Sequence, residues 1–494
     1  MSEFTIGVDI GTTGTKTVLI DVGTARIVAQ ASRDGRLFAD APGHAEADPA
    51  QWIENAYSTI RAVLGESGVS AEQVGALATT GMVPAVVPVD THGVPVRRAM
   101  LQNDARATAQ IERLRDALDP ADVLSATGSA ITQQSVAPTA MWLREHEPEN
   151  WARTARLVGS YDWVLMALGA APHVELNWAI ESGLGTIDGR RYEPVYAAAG
   201  LAEDTMPEVL PPGAQAGRLS ASAAEATGLR EGLPLVVGGA DHVLSAYAAG
   251  VNAAGDWLVK LGGAGDVLAA SDTPVIDGRL YLDAHPVPGR WLPNGCMATS
   301  GSLIRWFQTL VGGADLLQLD DEADQRGAAE ILCLPYFLGE KSPLHDPDLR
   351  GAFVGLDLAH TRADMYRSVL EAIAFGFKHH TDVFASIGVP LQRAMVTNGG
   401  SKSVLWKQIL ADVLDTPLWP VVGHPGASLG AAVIAAIGVG ALDDWDSAAR
   451  FLTLGDAVEP DRRHVDRYAE AYSQWRTLGD VLTPVSHQLA RKAQ

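Results

Sequence analysis

Cysteine is almost missing from this chain. Two occur in 494 residues, Cys296 and Cys333. A disulfide scaffold is excluded. Neither cysteine has a metal-ligand neighbour at finger spacing, so both are expected as buried thiols. A reducing compartment such as the cytoplasm fits that scarcity. Basic residues are also few: 37 stand against 59 acidic ones, a net charge of −22. That surplus repels nucleic-acid backbones and anionic bilayers, which removes both as expected partners. A small anion stays admissible, because backbone N–H groups, helix N-termini and metal ions act whatever the net charge. Long apolar runs are missing too. The most apolar one, Leu429–Leu442, falls short of the ~20 residues a membrane span needs. Its Gly and Ala content predicts a buried helix. The opening Met-Ser-Glu-Phe shows no basic region followed by an apolar one, so no secretory signal is expected.

What the chain does have is size and dispersed glycine. A length of 494 residues exceeds one hydrophobic core and predicts several domains. The 50 glycines are spread out, which suits tight turns and close backbone approaches. Ile6, Val8 and Ile10 alternate, then Gly11-Thr12-Thr13-Gly14-Thr15-Lys16 turns into a second strand ending at Ile20–Asp21. This reads as a β-hairpin. A third strand is expected at Arg26–Ala31. A helix follows through Trp52, Ala56, Ile60 and Val63, with Asp48 as N-cap and Pro49 in its first position. Strands are expected at Val74–Thr79 and Ala85–Val89, and a helix at Asn103–Leu118. The apolar strand Leu233–Gly239 leads through Gly239-Ala240-Asp241-His242 into a helix reaching Ala249. Then the opening pattern recurs: strand Asp256–Leu261, glycine turn Gly262-Gly263-Ala264-Gly265-Asp266, strand Val267–Ala270. The two hairpins lie roughly 250 residues apart, half the chain. The domain boundary is therefore set near Gly250, giving domains 1–249 and 250–494. Strands and helices keep alternating, with a long helix at Arg362–Ser386, strands at Arg393–Thr397 and Leu418–Val421, and a helix to Leu414. Both domains are expected to be α/β.

Two carboxylates stand out. Asp9 ends a buried strand beside a turn full of N–H and hydroxyl donors. A carboxylate there is costly without a task, and next to phosphates that task is holding Mg²⁺ or its waters. Asp241 follows Gly238-Gly239 at the end of an apolar strand and opens a helix. It can serve as N-cap, or as a general base kept ionised by the helix N-terminus. The turn Gly11–Lys16 is neither a P-loop, which needs four residues before its Gly-Lys pair, nor a dinucleotide fingerprint, since it leads to a strand. Asn398-Gly399-Gly400-Ser401 is a third turn that lets a flat ring or phosphate approach the backbone.

Together these residues resemble the FGGY family of carbohydrate kinases over nearly the whole chain. Asp9–Lys16 looks like the family's first phosphate hairpin, and Glu46–Trp52 like its early acidic-to-Trp segment. Gly238-Gly239-Ala240-Asp241 matches the segment with the catalytic aspartate. Leu334-Pro335-Tyr336 with Gly339–Pro343, then Arg350–Leu356, resembles its central signature. Asn398–Ser401 with Trp406, Gln408 and Ala411-Asp412 resembles its adenine-side segment. The resemblance implies two ribonuclease H-like domains, as in the actin-like ATPases, with a cleft between them. It implies ATP mainly on the second domain, a small sugar or polyol on the first, Asp241 as the base and Asp9 positioning Mg²⁺–ATP. Gly11, Thr12, Thr13, Lys16, Gly262, Gly263, Gly265, Gly399, Gly400 and Ser401 would contact ATP. Met82, Asn103, Asp104, Asp241 and His242 would face the acceptor, for which a pentulose such as D-xylulose is expected.

The acceptor pocket departs from that pattern. Many pentulose kinases show Gln-Met-His-Gly where this chain has Gly81-Met82-Val83-Pro84. Xylulokinases commonly show Trp-Asn-Asp-Gly-Arg where it has Gln102-Asn103-Asp104-Ala105-Arg106. The usual Gly-Thr-Ser-Gly of the second hairpin is Gly262-Gly263-Ala264-Gly265. Another ketose, a tetritol or a sugar acid stays open as acceptor. An actin-like ATPase and an inactive sugar-binding sensor are the rival classes. A homodimer is assumed only because such assemblies are common. His379-His380, His44 and the acidic run Asp320–Asp324 are read as structural or solvated.

Overall fold

The computed structural model describes residues 4–41 and 43–493. Strand β1 (Phe4–Gly11) runs antiparallel to β2 (Gly14–Asp21), which pairs with β3 (Arg26–Asp34). Ile6, Val8 and Ile10 are wholly buried. The hairpin turn is tighter than the sequence suggests, because Gly11 and Gly14 still pair and leave only Thr12-Thr13 outside the strands. Helix α1 (Pro49–Ser67) starts as expected: the Asp48 side chain accepts from the Ala50 N–H, and Pro49 needs no donor there. It buries Trp52, Ala56, Ile60 and Val63. Strand β4 (Val74–Gly81) lies parallel to β1. Helices α2 (Ser160–Leu168) and α3 (Leu176–Glu181) follow, then β5 (Gln215–Arg218), β6 (Pro234–Ala240) and α4 (Asp241–Ala248). The first sheet has the order β5-β6-β4-β1-β2-β3.

The second sheet repeats the plan. Strands β7 (Gly255–Leu261) and β8 (Gly265–Ala269) form the recurring hairpin, flanked by β9 (Tyr281–Ala284) and β10 (Trp291–Met297). Helix α5 spans Arg362–Ser386, the range read from sequence. Strand β11 (Leu391–Thr397), helix α6 (Val404–Leu414) and β12 (Leu418–Pro420) complete the set. The order is β9-β10-β8-β7-β11-β12. In both sheets an antiparallel hairpin is flanked by an antiparallel third strand on one side and two parallel strands on the other. The parallel strands end at the same edge as the hairpin turns. That edge is where ligands bind in such sheets, because it gathers turn N–H groups and helix starts.

Helix α7 (Ala427–Gly438) is the buried Gly/Ala run. It packs on β1 and so leaves the second half of the chain to complete the first core. Glycine makes the approach possible: a Cβ on Gly7 would fall 2.0 Å from the Ser428 carbonyl oxygen. Thr5 Oγ1 donates to the Ala432 carbonyl at 2.8 Å across the same contact. Helix α8 (Arg462–Ala493) closes the second core with buried Tyr468 and Trp475. Among the described residues, no helix is long and apolar enough to cross a membrane.

Candidate active site

The two turn-bearing edges face each other across a cleft of about 530 Å³. Thr12 and Thr13 of the first hairpin line one wall, and Gly262, Gly263 and Ala264 of the second line the other. Asp241 and His242 face the space between them. Asp241 is the first residue of α4, where its carboxylate meets the positive end of the helix dipole. Burial pushes its pKa up, but His242 and Lys260 outweigh burial and hold it below the ordinary value. A carboxylate that is ionised, a third exposed and open to the cleft is equipped to accept a proton.

His242 forms the centre of a polar knot. Its Nε2 donates to Asp283 Oδ2 at 2.7 Å, and its Nδ1 lies 3.5 Å from Asp241 Oδ1. Asp283 stands on β9 of the second sheet and also accepts from Asn294 Nδ2 at 2.7 Å. Glu181, the last residue of α3, brings Oε1 to 3.8 Å from His242 Nε2. Burial and then Asp283 raise the Glu181 carboxyl well above the usual range. Burial opposes charge on His242, but Asp283 and Asp241 raise its pKa well above normal. Close by, Asn177 and Ala284 exchange two hydrogen bonds, at 2.7 and 3.0 Å, joining α3 to β9.

Asp9 lies beneath the first turn, at the end of β1 and opposite Lys16. Its Oδ1 is buried with no hydrogen-bond partner. Burial, then repulsion from Asp241, push this carboxyl up to about 7, against the pull of Lys260 and Lys16. An orphaned buried oxygen costs about 1–3 kcal/mol. A cation supplied with a ligand would satisfy it, so the site fits a Mg²⁺ ion. On β7 of the second sheet, Lys260 pairs with Asp266 of β8 at 3.4 Å. Burial works against the Lys260 charge, but Asp266 and Asp241 outweigh it.

A second cavity, also about 530 Å³, opens behind the second hairpin. Gly262, Gly263, Gly399 and Gly400 line one side, with Ile304, Leu316, Tyr366 and Trp406 supplying flat or apolar surface. A Cβ on Gly400 would fall 2.2 Å from the Trp406 ring, so glycine keeps the space open. The shape suits a planar base whose phosphates run over the Gly262-Gly263 turn. Lys16 and Ser401 meet in a neighbouring groove. Lys16 Nζ donates to the Pro425 carbonyl at 2.8 Å, which turns it from the cleft in this state. Gly11 ends β1 at the first turn and Gly265 begins β8 at the second.

The acceptor-side expectations need correction. Met82 is buried, and its neighbour Val83 lines the cleft instead. Asn103 is exposed outside the cleft wall, whereas Gln102 lines it. Asp104 is buried with its oxygens taken by the Ala45 N–H at 2.7 Å and by Arg106 Nε at 2.8 Å. Arg106 also bridges to Glu46 at 2.7 Å. The Glu46 segment and the Asn103–Arg106 segment are therefore halves of one ion-pair network that holds the loop carrying Gln102. That network also explains why the helix expected from Asn103 begins only at Thr108. Cys296 lines the cleft instead of being a core thiol; Cys333 is buried as expected. Sequence reasoning missed Glu181, Lys260, Asp266, Asp283, Asn294 and Lys341. Lys260 and Asp266 carried one signal: opposite charges facing each other across an otherwise apolar hairpin.

Two sheets of one plan, a glycine turn on each wall and an ionised aspartate between them define a two-domain phosphotransferase of the actin-like ATPase fold. The chain belongs to the FGGY family of carbohydrate kinases: residues 4–248 match its N-terminal domain and 258–439 its C-terminal domain. It is an enzyme for which the family implies ATP and a sugar as substrates. The crystal structure of xylulose kinase from Rhodospirillum rubrum is similar, with 40% identity, a TM-score of 0.92, and coverage of 98% of this chain and 100% of that one. Xylulose kinase of Bacillus subtilis (strain 168) is 26% identical over 483 residues, covering 96% of each chain. That of Escherichia coli (strain K12) is 26% identical over 486 residues, covering 97% of this chain and 99% of its own.

Proposed function

We propose that the chain transfers the γ-phosphoryl group of Mg²⁺–ATP to a hydroxyl of a pentulose such as D-xylulose. The observation that carries this reading is Asp241, ionised and facing a cleft with a glycine turn on either side. Asp241 takes the proton of the acceptor hydroxyl as its oxygen attacks the γ-phosphorus, and ADP leaves with the bridging oxygen. A positioned base contributes roughly 10²–10⁴ in rate. Thr12, Thr13, Gly262 and Gly263 offer hydroxyl and backbone donors to the phosphates, and the Gly399-Gly400 cavity takes the base. Asp9 would hold Mg²⁺, which when bound neutralises phosphate charge. Closure of the two domains would exclude water as a competing acceptor. The low cysteine content supports a cytoplasmic setting.

Val83 and Gln102 on the cleft wall favour a second reading of the acceptor. They stand where pentulose-kinase patterns have His and Trp, so another ketose, a tetritol or a sugar acid is the alternative. The test is ADP release over a panel of ketoses, polyols and sugar acids, with Asp241→Asn as control. Turnover that needs D-xylulose and is lost in the variant supports the first reading. Turnover only with another class selects the second. ATP hydrolysis indifferent to every acceptor, or surviving Asp241→Asn, refutes both.

A further inference from the structure

His242 and Asp283 reach each other across the domain boundary. His242 follows Asp241 on α4 of the first domain, while Asp283 stands on β9 of the second sheet. Asp283 is only 1% exposed and is held by Asn294, so it forms a fixed anionic wall. The ring places Nε2 2.7 Å from Asp283 and Nδ1 3.5 Å from Asp241. Glu181 of α3 covers the Nε2 edge at 3.8 Å. Each ring nitrogen therefore meets a carboxyl oxygen. A neutral imidazole has one donor and one acceptor nitrogen; the imidazolium donates from both, and is the form this surrounding favours.

We propose that His242 is a positioning residue: clamped by Asp283 of the second domain, it holds Asp241 ionised and aimed at the acceptor hydroxyl. The inference rests on Asp241 being the base. It differs from reading His242 as an acceptor contact, because the ring's two nitrogens are turned to protein carboxyls. It also makes the base sensitive to domain seating, since the clamp spans both domains. The titratable groups around the pair are Asp283, Glu181 and Asp241 at the ring, with Lys260 and Asp9 acting on Asp241 from β7 and β1. A cation within about 4–6 Å lowers a carboxyl pKa by about one to three pH units, so loss of the imidazolium should raise Asp241 by about that much.

The experiment titrates the full-length protein carrying carbon-13-labelled aspartate carboxyls. The Asp241 resonance is identified by its loss in Asp241→Asn. His242→Gln and Asp283→Asn should each raise the Asp241 pKa by about one unit or more. Each should also lower kcat by about tenfold or more while the acceptor KM stays within about threefold. Circular dichroism checks the fold of each variant; His242→Gln, at the cleft surface, suffices if Asp283→Asn does not fold. An unmoved Asp241 titration in His242→Gln overturns the proposal, whatever happens to kcat. A large rise in acceptor KM without a titration shift assigns His242 to direct acceptor contact, which also overturns it. Full turnover by Asp241→Asn would instead refute the base, independently of the titration.

Discussion

Replacing Asp9 by Asn should stabilise the ligand-free protein at neutral pH while lowering its activity. The native carboxyl sits at about 7 against 3.8 for an ordinary one, pushed up by burial and by Asp241. The native state therefore holds the proton more tightly than the unfolded chain does. Charging Asp9 costs stability, and the cost sets in as pH rises past 3.8, grows until about 7 and then levels off. A shift of that size is worth about 4 kcal/mol at roughly 1.4 kcal/mol per pH unit. Screening through the partly exposed side of the residue brings the figure to about 2–4 kcal/mol. Asparagine removes the titrating charge. Its melting temperature should exceed the wild type's by about 2–4 °C at pH 8, and by much less at pH 4.5. The assay is thermal unfolding of both proteins from pH 4.5 to 8.5 without nucleotide or metal. Kinase turnover, measured in parallel, should fall by about 10² or more if Asp9 holds Mg²⁺ as proposed, because a neutral amide replaces a carboxylate ligand poorly. A melting difference that does not change with pH, or that favours the wild type at pH 8, refutes the reasoning.

Two further substitutions probe the glycines. Gly7→Val should cost about 3 kcal/mol or more, because even a Cβ would sit 2.0 Å from the Ser428 carbonyl oxygen of a rigid helix. Denaturant unfolding measures it, and an unchanged midpoint would contradict the packing of α7 on β1. Gly400→Val should fill the second cavity against Trp406. The KM for ATP should then rise by about tenfold or more with the acceptor KM little changed, and equal shifts in both would remove that cavity as the nucleotide site.

Much of the framework was readable from residue patterns. The hairpin at Asp9–Lys16 and its recurrence at Gly262–Asp266 announced two sheets of one plan, because strand alternation and turn glycines are local signals. Asp48 and Pro49 marked the start of α1 for the same reason. Asp104 was misread because a free-standing aspartate before a helical pattern looks like a cap or a ligand. Only the folded loop shows that Arg106 and Ala45 consume it. The exchange of α7 into the first core was equally hidden, since a Gly/Ala run says that a helix is packed closely but not against which sheet.

The opposed walls of the cleft show the same division. Asp9, Asp241 and the glycine turns are fixed by their own segments: a strand end, a helix start, a tight reversal. The sequence by itself thus determined the α/β class, the paired hairpins and an aspartate at the start of a helix that faces the cleft. The tertiary structure alone decided that Asp283, some forty residues on and in the other domain, closes on His242, and that Glu181 and Lys260 join the same site. Electrostatic pairing across domains depends on distances of a few ångströms between residues remote in the chain. No periodicity or spacing encodes those distances; they exist only once both cores have packed.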